Sequence, residues 1–219
     1  MYVLAFNGSP RKKSTTAKLI TKVLEGAASH GAETELVHLN ELSMKGCQAC
    51  FACKKRGGKS YGTCVQRDDM TLLYGKMERA DAFVLGSPIY FGTITAPAKA
   101  FVERLYPYLN YRDLSSNFPG KTKTGLVFTL GASDQEMELF DQHILFNRIV
   151  FKMLFGSVET LVSTDTFHVK DYTKIVADVL ETMVERKLKH QKEQFPKDCD
   201  KAFEMGVGFV SGAADDTRR

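Results

Sequence analysis

Short, almost wholly apolar runs alternate along this chain with segments whose apolar residues recur every three or four positions, and few folds accept that alternation. Residues 2–6 are apolar throughout and stop at Asn7-Gly8-Ser9-Pro10, the pattern of a buried strand entering a turn. From Ser14 the spacing changes to Thr16, Ile20, Val23, Leu24 and Ala27, one face of an amphipathic helix that ends near Gly31. Residues 34–39, 82–86, 124–130 and 157–163 repeat the strand pattern. Helices are expected behind Asp68-Asp69, which reads as a cap for the stripe Met70, Leu73, Tyr74 and Met77, then over 97–105, 136–155 and 175–188. Strands this apolar are buried on both faces, so the pattern specifies a doubly wound α/β fold: a five-stranded parallel sheet with helices on both faces.

At about 150 residues per domain, 219 residues favour a single domain. We expect it to cover residues 1–196, with a cysteine-rich insertion at 45–66 and a tail at 197–219. The stretch from Cys199 onward is polar, and Gly206-x-Gly208-x-x-x-Gly212 reads there as flexible chain. The longest uncharged run, residues 82–98, is broken by Gly86, Pro88, Gly92 and Pro97 and is too short for about 30 Å of hydrocarbon, so no membrane partner is expected. No basic and apolar leader precedes the first strand, which points to a cytoplasmic location.

In an open parallel sheet, ligands bind beyond the carboxyl ends of the strands. There the first loop offers Ser9, Arg11, Ser14, Thr15 and Thr16 immediately before a helix N-terminus. Outward amides, hydroxyls and a guanidinium together suit a dianionic monophosphate. The loop lacks the G-x-G-x-x-G glycines that a dinucleotide pyrophosphate requires, which favours a mononucleotide. The third loop, Gly86-Ser87-Pro88-Ile89-Tyr90-Phe91-Gly92, combines a rigid turn with two aromatic rings, and Tyr90 or Phe91 can lie against a flat heterocycle. Arg56-Gly57-Gly58-Lys59-Ser60 imitates the end of a phosphate-binding P-loop, but Cys53 stands where its first glycine belongs. The basic residues fall in two short clusters, Arg11-Lys12-Lys13 and Lys54-Lys55-Arg56, and not along one helical face. Small anions are therefore expected, and nucleic acid is not.

Of five cysteines, Cys47, Cys50, Cys53 and Cys64 fall within 18 residues, a density that signals metal or redox chemistry and not a disulfide framework. Two gaps of two residues wrap three thiolates around one face of a cubane, and a distant fourth completes a four-thiolate site. Zinc more usually has two separate C-x2-C knuckles. A [4Fe-4S] cluster, zinc and an empty loop all remain open at this point. The histidines, His30, His38, His143, His168 and His190, show no paired spacing and read as surface or capping residues. The aromatic connection 106–118 suits a cover for a ligand, a meeting point with a partner subunit, or a loop packed on its own chain.

The segments FNGSPRKKSTTAKL, DDM and ADAFVLGSPIYFGTITAPAKAFVERL closely resemble the flavodoxin-like NAD(P)H-dependent FMN reductase family, including its iron-sulfur flavoprotein branch, over about residues 1–165. The resemblance implies a flavodoxin-like fold and FMN as cofactor. Ser9, Arg11, Ser14, Thr15 and Thr16 would hold the FMN phosphate. Pro88, Ile89, Tyr90, Phe91 and Gly92 would border the isoalloxazine, and the loop after the fourth strand, with Thr129 and Gly131, would close its other side. In the iron-sulfur branch a comparable cysteine motif ligates [4Fe-4S], with a last gap typically shorter than the one between Cys53 and Cys64. The implied activity is an FMN-dependent NAD(P)H oxidoreductase, in a homodimer or homotetramer, passing electrons to a quinone, nitro, azo or protein acceptor. Two other classes stay open: a flavodoxin-like electron carrier, which is usually acidic where this chain has a pI near 8.7, and a zinc or redox-sensing regulatory module.

Overall fold

Val3, Leu4, Ala5 and Phe6 have no exposed surface because their strand, β1 (Tyr2–Asn7), lies between two parallel neighbours, β2 (Glu33–His38) and β3 (Ala82–Tyr90). The computed structural model describes residues 1–169 and 171–211. Beyond β3 come β5 (Lys123–Thr129) and β6 (Glu159–Ser163), so the parallel order is β2-β1-β3-β5-β6. A two-residue strand, β4 (Thr93–Ile94), pairs back on β3 as an antiparallel hairpin that the sequence pattern did not announce.

Alternation along the strands divides the core into two layers. Leu4, Phe6, Phe83, Leu85, Leu126 and Phe128 pack against α2 (Met70–Arg79), α3 (Ala96–Glu103) and α4 (Glu138–Phe155). On the other face, Val3, Ala5, Val84 and Val127 meet α1 (Thr15–Ser29) and α7 (Phe195–Val210). Both faces are covered: the doubly wound architecture expected from the pattern is present, with the flavodoxin-like strand order that the family resemblance implies.

Four sequence expectations need correction. Strand β3 runs four residues past Gly86, through Pro88 to Tyr90. Its neighbour β1 ends opposite Gly86 and the β4 pairing starts at Ile89, so Pro88 falls in the gap between those two ladders, where a missing N–H is tolerated. The expected helix over 175–188 is divided into a turn at Tyr172–Lys174 and the helices α5 (Asp178–Glu181) and α6 (Val184–Glu193), with Val176, Val179 and Leu188 exposed. Asp69 does not cap α2 with its side chain; it accepts the Ser43 amide at 2.6 Å, while Asp68 accepts the Met70 amide at 3.2 Å.

The largest correction concerns the tail. Residues 195–210 form α7, which buries Phe195, Ala202, Met205 and Phe209 against the sheet and α1. Burying a Phe or Met side chain contributes about 1.5–3 kcal/mol each, so this helix is part of the core and not an appendage. Gly206 is packed at the crossing with α1, where a Cβ would meet the Val23 carbonyl oxygen at 1.9 Å. Gly212 and the rest of the expected tail, residues 212–219, lie outside the described residues. Among the described residues no helix is long and apolar enough to cross a membrane.

Candidate functional site

The carboxyl ends of β1, β3 and β5 open into a cleft of about 170 Å³. Its floor is the β1–α1 loop, with Ser9, Arg11, Ser14, Thr15 and Thr16. Here the chain is held by its own polar side chains: Asn7 Oδ1 accepts the Ser9 amide at 3.0 Å, and Ser9 Oγ accepts the Arg11 amide at 3.2 Å. Ser14 both lines the cleft and caps α1, its Oγ accepting the Ala17 amide at 3.1 Å. The buried Thr16 hydroxyl meets the Thr129 hydroxyl at 2.7 Å, joining the floor to the end of β5. Hydroxyls, the Arg11 side chain and the positive end of the α1 dipole make this floor rich in hydrogen-bond donors and electropositive.

Pro88, Ile89 and Tyr90 form one wall, and Thr129, Leu130 and Gly131 the opposite one. Phe91 and Gly92 stand outside the cleft. They make the left-handed turn of the β3–β4 hairpin, with φ of 49° and 80°, and Phe91 is fully exposed. The hairpin is fastened by His143 of α4, whose Nε2 accepts the Ile94 amide at 3.1 Å. Desolvation, with Lys99 nearby, holds this imidazole below its ordinary pKa.

Thr166, Phe167 and His168 complete the cleft, and sequence reasoning missed all three. They follow β6, which the topology places beside β5; the only available signal was the rule that every strand's carboxyl end is a candidate. His168 is exposed, as a surface histidine would be, yet its backbone oxygen accepts Arg11 Nη1 and its ring takes the space a Cβ on Gly131 would need, 2.4 Å away. Desolvation and the positive charges of Lys187 and Arg11 lower its pKa. Lys187, also missed, is fully buried in α6 behind these loops.

A second cavity, of about 240 Å³, is lined by Cys47, Cys50, Cys53 and Cys64 together with Phe51, Arg104 and Tyr106. Cys47 and Cys50 are exposed, whereas burial raises the thiol pKa of Cys53. The loop turns sharply here, with Ala49 and Phe51 left-handed at φ of 51° and 53°. Arg104 is 1% exposed and forks onto Asp68, Nη1 to Oδ2 at 2.6 Å and Nη2 to Oδ1 at 3.0 Å. Its Nε is buried and has no acceptor among the described residues. Nor do any three His, Cys, Asp or Glu side chains among those residues converge as they would on a single metal ion. The 106–118 connection packs on its own chain: Tyr108 is buried against Phe118 and Phe155, and Tyr106 and Tyr111 lie beside Lys54 at this cavity's rim.

A sequence model of the NADPH-dependent FMN reductase family matches residues 1–158, which hold the floor and both strand walls of the cleft. The chain belongs to this family. An iron-sulfur flavoprotein of Archaeoglobus fulgidus is 39% identical over 104 residues, 48% of either chain. Another, from Methanocaldococcus jannaschii, is 34% identical over 133 residues, 61% of this chain and 63% of that one. The matched region thus spans about half to three fifths of these relatives' length. Among solved structures, an NAD(P)H:quinone oxidoreductase from Methanothermobacter marburgensis superposes with a TM-score of 0.67 at 15% identity, covering 94% of this chain and 98% of that one. An FMN-dependent NADH-azoreductase from Bacillus anthracis, in complex with FMN, gives 0.62 at 12% identity over 95% and 99%. At such identities the likeness is one of fold. In this FMN reductase family member, Thr166, Phe167, His168 and Lys187 lie beyond the matched segment.

Proposed function

We propose that the chain is an FMN-dependent NAD(P)H oxidoreductase whose electrons pass to a quinone, nitro, azo or protein acceptor. The observation that carries this reading is the cleft itself. Hydroxyls, a guanidinium and a helix N-terminus meet at its floor, and apolar and aromatic residues from β3 rise beside them. These residues fit FMN: Ser9, Arg11, Ser14, Thr15 and Thr16 would hold the phosphate, and Pro88, Ile89, Tyr90, Thr129 and Gly131 would border the ring. Phe91 and Gly92, at the hairpin tip, are placed to meet what approaches the ring from outside. Bound FMN would supply hydride acceptance from NAD(P)H and onward electron delivery. The side chains named here bind and orient, and none is required to move a proton for the hydride to transfer.

The cysteine cavity extends the proposal to a [4Fe-4S] cluster ligated by Cys47, Cys50, Cys53 and Cys64. Four thiols line one cavity, and a buried Nε–H lacks an acceptor in its wall, as suits an anionic, sulfur-rich group. The name that the relatives carry agrees with this choice over zinc. No two of the five cysteines are joined in a disulfide, which agrees with a reducing compartment such as the cytoplasm. We also infer a homodimer or homotetramer, supported by the apolar residues Leu139, Phe146 and Ile149 exposed on α4.

Anaerobic purification followed by absorption spectroscopy, iron and sulfide analysis and NAD(P)H oxidation with a benzoquinone tests the reading. Two flavin bands with a broad iron-sulfur shoulder are expected. Serine at Cys47, Cys50, Cys53 or Cys64 should abolish bound iron, and serine at Cys199 should retain it. Failure to bind FMN at micromolar concentration overturns the proposal. Bound flavin without NAD(P)H turnover, but with rapid exchange with a redox protein, would make the chain a carrier, and stoichiometric zinc would assign the cysteines to a regulatory module.

A further inference from the structure

A fully buried lysine is rare, and its partners indicate what keeps it there. Lys187 Nζ donates to the carbonyl oxygens of Gly131 at 2.5 Å and Thr166 at 3.2 Å, and lies 3.8 Å from the Asp165 carboxylate. Two carbonyls thus accept protons of the ammonium, and the carboxylate faces its charge at ion-pair distance. Gly131 and Thr166 are themselves cleft residues, one from each of the loops that follow β5 and β6.

The two loops are laced together: Leu130 N donates to Ser163 O at 3.1 Å, Asp165 N to Ala132 O at 2.8 Å and Thr166 N to Leu130 O at 3.0 Å. Asp165 adopts a left-handed conformation, φ 47°, to make its contacts, and Arg186 Nε donates to its Oδ1 at 2.8 Å. A lysine needed only to tie two loops could be replaced by any donor. What distinguishes this one is a cation enclosed in a medium of low dielectric, one carbonyl away from the cleft. Burial lowers its pKa and Asp165 opposes that effect.

We propose that Lys187 is a positioning residue for the flavin: it fixes the Gly131 and Thr166 carbonyls and sets a positive charge behind the wall that the ring faces. A reduced isoalloxazine carries more negative charge than an oxidised one, so this cation favours the reduced cofactor. The inference rests on the FMN reading of the cleft.

The test compares wild type, K187M and K187Q as folded apo-proteins, checked by thermal unfolding. Each is titrated with oxidised FMN by fluorescence quenching and, when loaded, by potentiometry. K187Q keeps donors for the carbonyls and removes the charge. Both variants are expected to bind reduced FMN about tenfold more weakly, relative to oxidised FMN, than wild type does. For a two-electron couple that ratio is a midpoint potential lower by about 30 mV. If both fail to fold, D165N carries the test, because removing the carboxylate leaves more net positive charge behind the wall and shifts the ratio the other way. Equal losses for oxidised and reduced FMN, or no loss, overturn the role of Lys187 while leaving the functional reading intact. Absence of FMN binding by wild type overturns both.

Discussion

Gly26 of α1 and Gly206 of α7 sit at one helix crossing so close that a Cβ on either would strike the other helix's backbone: the Phe203 oxygen at 2.0 Å from Gly26, the Val23 oxygen at 1.9 Å from Gly206. The neighbours are main chain and cannot swing aside, so an added methyl must part the helices.

Gly206→Ala is therefore expected to destabilise the protein by about 3 kcal/mol, the upper range for overpacking. For a chain of this size that lowers Tm by roughly 6–12 °C. Gly208, two residues on, has nothing within 4 Å of its would-be Cβ. Gly208→Ala should leave Tm unchanged or raise it slightly through helix propensity. Thermal unfolding followed by circular dichroism separates the two, and equal effects would contradict the close crossing.

The same crossing explains why the sequence misled here. α7 carries a helical stripe, Phe195, Ala202, Met205 and Phe209, but Gly206 and Gly208 lie inside it, and glycine in a polar context reads as loose chain. One of those glycines is a packing requirement that only the partner helix reveals. Between 171 and 193 the error has the opposite sign. Ile175, Val176, Val179 and Leu188 repeat at helical spacing, yet they face solvent while Lys187 faces inward. Periodicity reports a stripe and not what covers it. The strands, by contrast, were legible because burial on both faces leaves few polar positions to blur the pattern. The cleft floor was legible because its residues are contiguous; Thr166, Phe167, His168 and Lys187 reach it only through the placement of β6 and α6.

The Asp68–Arg104 pair should govern both acid stability and the cysteine cavity. Burial opposes ionisation of Asp68, but hydrogen bonds from Arg104 and the Lys45 and Met70 amides outweigh it and hold the carboxyl below its usual pKa. A depressed carboxylate pKa contributes stability that is complete above the unfolded value, about 4, and is lost as pH falls through the folded one. Asp68→Asn should cost about 2 kcal/mol at pH 7, the scale of a hydrogen bond to a charged group, and flatten the acid limb of the stability profile. Denaturant melts between pH 7 and pH 3 check this, and a variant that retains the full wild-type acid loss would refute it.

The β3–β4 hairpin should loosen in mild acid. His143 Nε2 must be unprotonated to accept the Ile94 amide, and its neutral form is favoured by desolvation and Lys99. Because the folded pKa lies below the unfolded value near 6.5, the unfolded chain takes up the proton first, and stability falls as pH drops from there towards the folded value. Hydrogen exchange at the Ile94 amide should therefore speed up between pH 7 and pH 5 beyond the intrinsic pH trend. In His143→Gln that excess should vanish. Identical pH dependence in the two proteins would exclude the imidazole as the cause.

The anion floor can be tested apart from the rest of the cleft by comparing FMN with riboflavin, which lacks the phosphate. If Arg11 and Ser14 serve the phosphate, substituting them should erode the advantage of FMN over riboflavin and leave riboflavin itself bound as before. Arg11→Met is expected to reduce that advantage about tenfold, the scale of one charge-assisted hydrogen bond. Ser14→Ala should reduce it less and cost about 1 kcal/mol of stability besides, because the same hydroxyl caps α1 at Ala17. Raising the salt concentration should weaken FMN binding by wild type more than by Arg11→Met, since the lost guanidinium is exposed and its attraction is screened. Fluorescence titration with both ligands at two ionic strengths measures all of these. Equal losses for FMN and riboflavin in Arg11→Met would place the guanidinium's effect on the ring or on the loop, through its bond to the His168 carbonyl, and not on the phosphate.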